Sequence, residues 1–138
     1  MKMFQSLAIS GSGMTAQRMW LDLISNNIAN VNTTRTREGG PYQRQAPVFA
    51  QRLEQVLQGG YQGAGVQVSR ITRDQSPPRL QHEPEHPDAD ANGFVSYPNV
   101  ELNKEFVNMI TASRAYEANA AAFESAKQMA LRALEIGR

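Results

Sequence analysis

The 138-residue chain contains no cysteine, which excludes a disulfide scaffold and any thiolate metal site and leaves a reducing or an oxidising compartment open. Excess charge is also missing, since 14 basic and 13 acidic side chains leave a net +1. That balance gives no electrostatic reason for a nucleic-acid or anionic-membrane partner. No apolar run approaches the roughly 20 residues needed to span a bilayer. The start, MKMFQSLAISGSGMTAQ, lacks a clean apolar stretch. A cleaved secretory signal is therefore not expected, and export would need another route.

Proline is absent from both ends. All 7 prolines lie between Pro41 and Pro98, which divides the chain into helix, irregular β-rich insert and helix. The expected fold class is mainly α with a small β insert. The expected segments are an N-terminal core helix over 1–33, a β- and loop-rich middle over 34–98 and a C-terminal core helix over 99–138.

In the first segment Leu7, Met14, Leu21 and Ile28 recur every seven residues, and Phe4, Ile24 and Val31 widen the row into a helical stripe. Ser10, Gly11, Gln17 and Arg18 interrupt it. Only Lys2, Arg18 and Asp22 carry charge before residue 32. A helix this poor in charge suits surroundings of protein on several sides. The last segment has a clearer stripe through Leu102, Phe106, Met109, Ser113, Tyr116, Ala120, Phe123, Ala130 and Leu134, with Ile110 beside it. Its alanines favour helix and permit close backbone approach. Gly137 stands where a helix stop is expected.

At about 1.5 Å per residue these segments make helices of roughly 45 and 55 Å. The middle is too short to cover both. The two helices are expected to pair as an antiparallel, coiled-coil-like unit. Their remaining apolar surface calls for other subunits, with the ends poorly ordered in the isolated chain and folding on assembly.

Within the middle, Gly65–Ser69 and Gly93–Tyr97 alternate as strands do. The stretch 46–57 is ambiguous, because Phe49, Leu53 and Val56 suit a helix while Pro47 suits a strand. Gly59-Gly60 and Gly63-Ala64-Gly65 are expected turns, and 76–90 an extended loop.

Three patterns imitate chemistry. His82-Glu83-Pro84-Glu85-His86 matches the zinc-protease motif, which needs a helix to put both histidines on one face. Pro84 and Pro87 deny it that helix, and there is no third histidine. Asp88-Ala89-Asp90-Ala91-Asn92-Gly93 resembles the start of a calcium loop, but its twelfth position is Asn99 instead of a bidentate glutamate. A turn held by Asp and Asn side chains is the expectation, and weak calcium binding over 88–93 is the alternative. Gly11-Ser12-Gly13 lacks the βαβ setting of a dinucleotide site. No catalytic residue, cofactor or metal ligand is therefore assigned.

The end of the first helix carries the most specific signal. Ser25-Asn26-Asn27-Ile28-Ala29-Asn30-Val31-Asn32-Thr33-Thr34 resembles the asparagine-rich signature of the flagellar rod, hook and hook-associated axial proteins. Such side chains satisfy backbone groups at a helix end and its exit turn. The following 35–45 segment is similar to that of proximal rod members. So are Ser76–Leu80, His86–Gly93, Tyr97–Val100 and Val107–Asn119, in the family's order. The resemblance implies a structural subunit of the proximal rod, assembled helically around the export channel. It would be exported by the flagellar type III apparatus without a cleaved signal and placed in the periplasm. Implied partners are further copies of the chain, the rod proteins FlgB, FlgF and FlgG, and the base protein FliE; another proximal rod component such as FlgB is the alternative identity. The assembly interface is expected at Leu7, Met14, Leu21, Ile24, Ile28, Val31, Phe106, Met109, Ile110, Tyr116, Phe123 and Leu134. Asn26, Asn27, Asn30, Asn32, Thr33 and Thr34 form the family motif.

Overall fold

The computed structural model describes residues 2–55 and 61–136. Val56, Gly59, Gly60 and Gly137 lie outside the described residues. The element order is α1 (Lys2–Ala29), β1 (Gln45–Gln55), β2 (Tyr61–Arg73), β3 (Arg79–His82), β4 (Phe94–Tyr97) and α2 (Leu102–Ile136). Two long helices thus flank a small antiparallel strand region.

β1 and β2 form a long two-stranded ribbon, and β3 pairs with β4 in a second, short one. The ambiguous stretch after Ala46 is strand. Its Pro47 is tolerated because a two-stranded ribbon leaves each strand an edge with no ladder bond to lose. The ribbon has two irregularities, between Val48 and Phe49 and between Gln51 and Leu53.

The second of these corrects the expected turn at Gly63-Ala64-Gly65, which instead lies inside β2. Gln51 pairs with Val66 and Leu53 with Gly63, so Ala64 and Gly65 together oppose Arg52 as a bulge. Gly65 adopts φ +106°, and a Cβ there would stand 2.2 Å from the Ser12 hydroxyl oxygen. The glycines serve a bulge and a close approach to α1, two uses that resemble a turn in sequence.

Extended structure over 76–90 is also only partly right, because β3 lies within it. Pro77, Pro78 and Pro84 flank the strand, where no ladder N–H is lost, and all four of its residues are exposed. With neither face covered, there is no hydrophobic alternation to announce it.

α1 is the centre of the molecule. It packs against α2 on one side and against both strands of the long ribbon on another, whereas α2 packs on α1 alone among the described elements. Along the ribbon side, the Gln5 carboxamide donates to Gly63 O, Val66 N–H donates to Ser12 Oγ, and the Trp20 and Phe49 rings meet edge to face at 5.8 Å. This contact row explains the scarcity of charge on α1: two of its faces are already occupied by the chain itself. Among the described residues the buried side chains are Ala16, Leu23, Ile24 and Asn27 of α1, Glu105, Ala112 and Ala126 of α2, Val95 of β4, and Pro98 and Val100 between β4 and α2.

Gly65→Ala should therefore destabilise the fold by about 1–3 kcal/mol, from the positive φ and the encroached Ser12. Chemical denaturation would measure it, and an unchanged midpoint would contradict the close packing of β2 on α1.

Candidate functional site

The last turn of α1, the first turn of α2 and the start of β1 meet at a buried polar junction. α1 ends because the motif supplies its own exit. The Asn30 carboxamide donates back to Asn26 O and to Asn26 Oδ1, and Thr33 Oγ1 donates to Asn30 Oδ1. The chain then reverses through Gly39 and Gly40, both at positive φ, and Tyr42 N–H donates to Thr33 O. This loop delivers Tyr42, Arg44 and Gln45 alongside Asn27.

Asn27 is 1% exposed and uses its whole hydrogen-bonding capacity. Its amide nitrogen donates to Gln45 O at 2.8 Å and to Glu105 Oε2 at 3.1 Å. Its carbonyl oxygen accepts from Tyr42 Oη at 2.8 Å and from Gln45 N–H at 2.9 Å. Glu105 is fully buried, and its second oxygen accepts from Arg44 Nε at 2.6 Å. It sits in the first turn of α2, where the helix N-terminus favours an anion. Asn26 Nδ2 donates to Tyr42 Oη, and burial raises the Tyr42 phenol above its ordinary pKa. Asn99 extends the junction: its oxygen accepts from Arg44 N–H, and its amide donates to Asp74 O and Ser76 O.

Thr34 and Arg35 form a second link, both donating to the Asp88 carboxylate. These bonds, the Thr34 hydroxyl first, hold the Asp88 pKa below its ordinary value. The calcium-like carboxylates thus have other work. Asp90 Oδ1 accepts from the Asn92 and Phe94 N–H groups, and Gly93 adopts φ +78°, so the segment is the expected Asp-held turn. The histidines of the protease-like pattern are split between strand and turn. His82 lies in β3 with its ring against Phe94, and His86 lies in a turn with Nδ1 accepting from Asp88 N–H. No group of three or more potential ligands is assembled among the described residues.

The expected interface residues fall into two sets. Ile24 is buried, while Leu7, Met14, Leu21, Ile28, Val31, Met109 and Phe123 are half-buried. Phe106 (51%), Ile110 (57%), Tyr116 (37%) and Leu134 (72%) remain exposed on α2. Apart from Ile24, the row at the helix pair stands beside the expected stripes, with Gly13 next to Met14, Asn27 next to Ile28 and Glu105 next to Phe106. It runs through Gly13, Ala16, Leu23 and Asn27 on α1 and through Glu105, Ala112, the half-buried Asn119 and Ala126 on α2. Hydrophobicity alone does not reveal a row of Gly, Ala, Asn and Glu. The seven-residue spacing from Glu105 to Ala112, Asn119 and Ala126 is the signal that does. Of the motif residues, Asn26 and Asn32 are exposed.

The matches with known proteins bear on this junction directly. Residues 7–35 match the family model described as flagella basal body rod protein, and residues 91–136 match that described as flagellar basal body rod FlgEFG protein C-terminal. These two stretches are the two sides of the helix pair. The flagellar basal-body rod protein FlgC of Borreliella burgdorferi is 46% identical, with 99% of this chain and 98% of that protein aligned. The chain belongs to the FlgC family of flagellar basal-body rod proteins. FlgC of Bacillus subtilis is 41% identical over the full length of both chains, and that of Salmonella typhimurium 36% identical over 94% of each. Membership of the FlgC family makes the chain a structural rod subunit of the flagellar basal body, which assembles with other rod components. No helix among its described residues is long and apolar enough to cross a membrane.

Two outcomes follow from the FlgC-family junction. Asn27→Ala removes four bonds and leaves Glu105 buried with one partner fewer, so unfolding free energy should fall by about 2–4 kcal/mol, read by denaturant titration. Below about pH 4 the link at Asp88 should open. A carboxyl with a lowered folded pKa stabilises above its unfolded value of about 3.9 and loses that contribution as pH falls through the folded one. Asp74 and Glu38 shift the same way through Ser76 and Arg73 respectively. The amide protection factors at Thr36 and Ala89, whose N–H groups bond Gly40 O and His86 O, should fall on acidification; factors unchanged down to about pH 2.5 would contradict the assignment.

Proposed function

We propose that the chain is a non-catalytic building block of the proximal rod, assembling helically through its terminal helices around the export channel. The division of labour follows the three segments: 1–33 and 99–138 form the packing core, and 34–98 lies outside it. The helices act as an antiparallel, coiled-coil-like unit. Asn27 meets Glu105 and Gly13 meets Asn119, fourteen residues apart on each helix and in opposite chain directions, which is two heptads.

The observation that carries the reading is the bareness of α2. A helix of 35 residues, about 52 Å long, packs on one neighbour only among the described elements. It leaves Leu102, Phe106, Val107, Ile110, Tyr116, Met129, Leu131, Leu134 and Ile136 exposed. Clustered exposed apolar side chains of this kind mark protein–protein contact. From the pairing above, Lys2 falls opposite residue 130, so the last turns of α2 overhang α1 and meet a neighbouring subunit. The partners are further copies of the chain, the rod proteins FlgB, FlgF and FlgG, and the base protein FliE. Leu7, Met14, Leu21, Ile28 and Val31, at the margin of the helix pair, complete the contact surface from α1. The subunit reaches the periplasm through the flagellar type III apparatus.

Ile110→Asp tests this, because the side chain is exposed in the single chain and the change leaves its core untouched. The purified variant should melt within about 0.5 kcal/mol of the parent, as exposed substitutions do. In cells it should be exported but fail to support swarming in soft agar. Normal swarming with a folded variant would count against α2 as an assembly surface.

A further inference from the structure

Four of the eight residues in the rows that α1 and α2 bury against each other are glycine or alanine, and small residues specify register weakly. Sliding α2 by one heptad moves it about 10.5 Å. In one direction Gly13 would face Ala112 in place of Asn119; in the other it would face Ala126. Both alanines are already buried, so either slip exchanges one small contact for another. Packing alone discriminates poorly among the three settings.

The polar contacts discriminate well. In the first slip Glu105 would lie opposite Trp20, whose single indole N–H stands where two donors are needed, and Asn27 would fall opposite position 98, ahead of the start of α2. In the second, Asn27 would face Ala112 and Glu105 would pass the end of α1 at Ala29. Each slip strands a buried carboxylate or carboxamide, the costliest error an interior can contain. Glu105 also has to meet two donors that come from different elements, Asn27 of α1 and Arg44 just before β1. Asn27 in turn holds Gln45 by both its N–H and its carbonyl.

We propose that the buried Asn27–Glu105 pair, backed by Arg44 and Gln45, is a register lock that admits α2 at a single heptad setting on α1 and ties that setting to the point where β1 begins. Asn27, Gln45 and Arg44 form the template, and Glu105 is the side chain that reads it. A single buried asparagine fixing helix register is a known device in coiled coils. Here it also sets how the middle segment stands relative to the helix pair, because Gln45 is the first residue of β1.

The absence of native cysteine makes the register directly measurable. Gly13→Cys combined with Asn119→Cys reports the observed setting. Gly13→Cys combined with Ala112→Cys or with Ala126→Cys reports the two slips, because a seven-residue offset exceeds the roughly 7 Å between Cα atoms that a disulfide can bridge. Oxidation of the purified full-length chain, followed by peptide mass spectrometry, should give the 13–119 disulfide alone when Glu105 is present. Glu105→Leu should raise the yield of a slipped disulfide at least tenfold. Glu105→Ala, which favours helix, carries the same expectation should leucine overpack the site. Glu105→Gln keeps one of the two acceptors at the same reach and should shift the pairing back toward the observed setting relative to Glu105→Leu, which a merely space-filling role would not require. Exclusive 13–119 pairing in both Glu105→Leu and Glu105→Ala would overturn the proposal, as would slipped pairing in the parent chain.

Discussion

One carboxamide organises the subunit. Asn27 sits where α1, β1 and α2 converge, and its two donor and two acceptor positions are all filled. A buried amide is stabilising only in that condition, since each unfilled position leaves a desolvated polar group. The condition constrains everything around it. The chain must reverse after Thr33 so that Tyr42 and Gln45 return to α1, and α2 must start where Glu105 can reach both Asn27 and Arg44. The exit turn, the strand start and the helix start are thereby fixed together.

That constraint relieves the rest of the pair of any need for bulk. With specificity concentrated at one end, the remaining contacts can be small. Gly13 shows how close they are: a Cβ there would come within 2.7–2.9 Å of three atoms of the Asn119 side chain. Large apolar side chains are then left for other surfaces. Phe106, Ile110 and Leu134 face outward because the internal pair does not use them, in keeping with a subunit that completes its core with neighbours. The FlgC relatives, aligned over nearly the whole chain, place such a subunit in the flagellar rod.

The two helices and the strand-rich middle could be read from the sequence, because proline distribution and seven-residue periodicity are strong signals. The Asp90 turn could also be read, since short acidic side chains bond nearby backbone amides by local chemistry. The inner contact row could be read only in part by hydrophobicity, which selected the buried Ile24 but also Met14 and Ile28, one position away from Gly13 and Asn27. The motif asparagines were legible as a helix exit, and Asn26 and Asn30 do that work. Asn27's partners were not, because Gln45 and Glu105 lie 18 and 78 residues away and only the folded chain brings them together. Gly65 misled in a different way: a bulge and a turn both ask for glycine, and local sequence does not tell them apart.

The central claim is that the polar junction belongs to each subunit, whereas the outer face of α2 belongs to the assembly. An electron-microscopy map of the assembled rod, at a resolution that shows side chains, tests it most directly. The account predicts Asn27 bonded to Glu105 within every copy of this chain, with Phe106, Ile110 and Leu134 covered by adjacent subunits. A map with those three side chains facing solvent, or with Glu105 paired to another subunit, would contradict it.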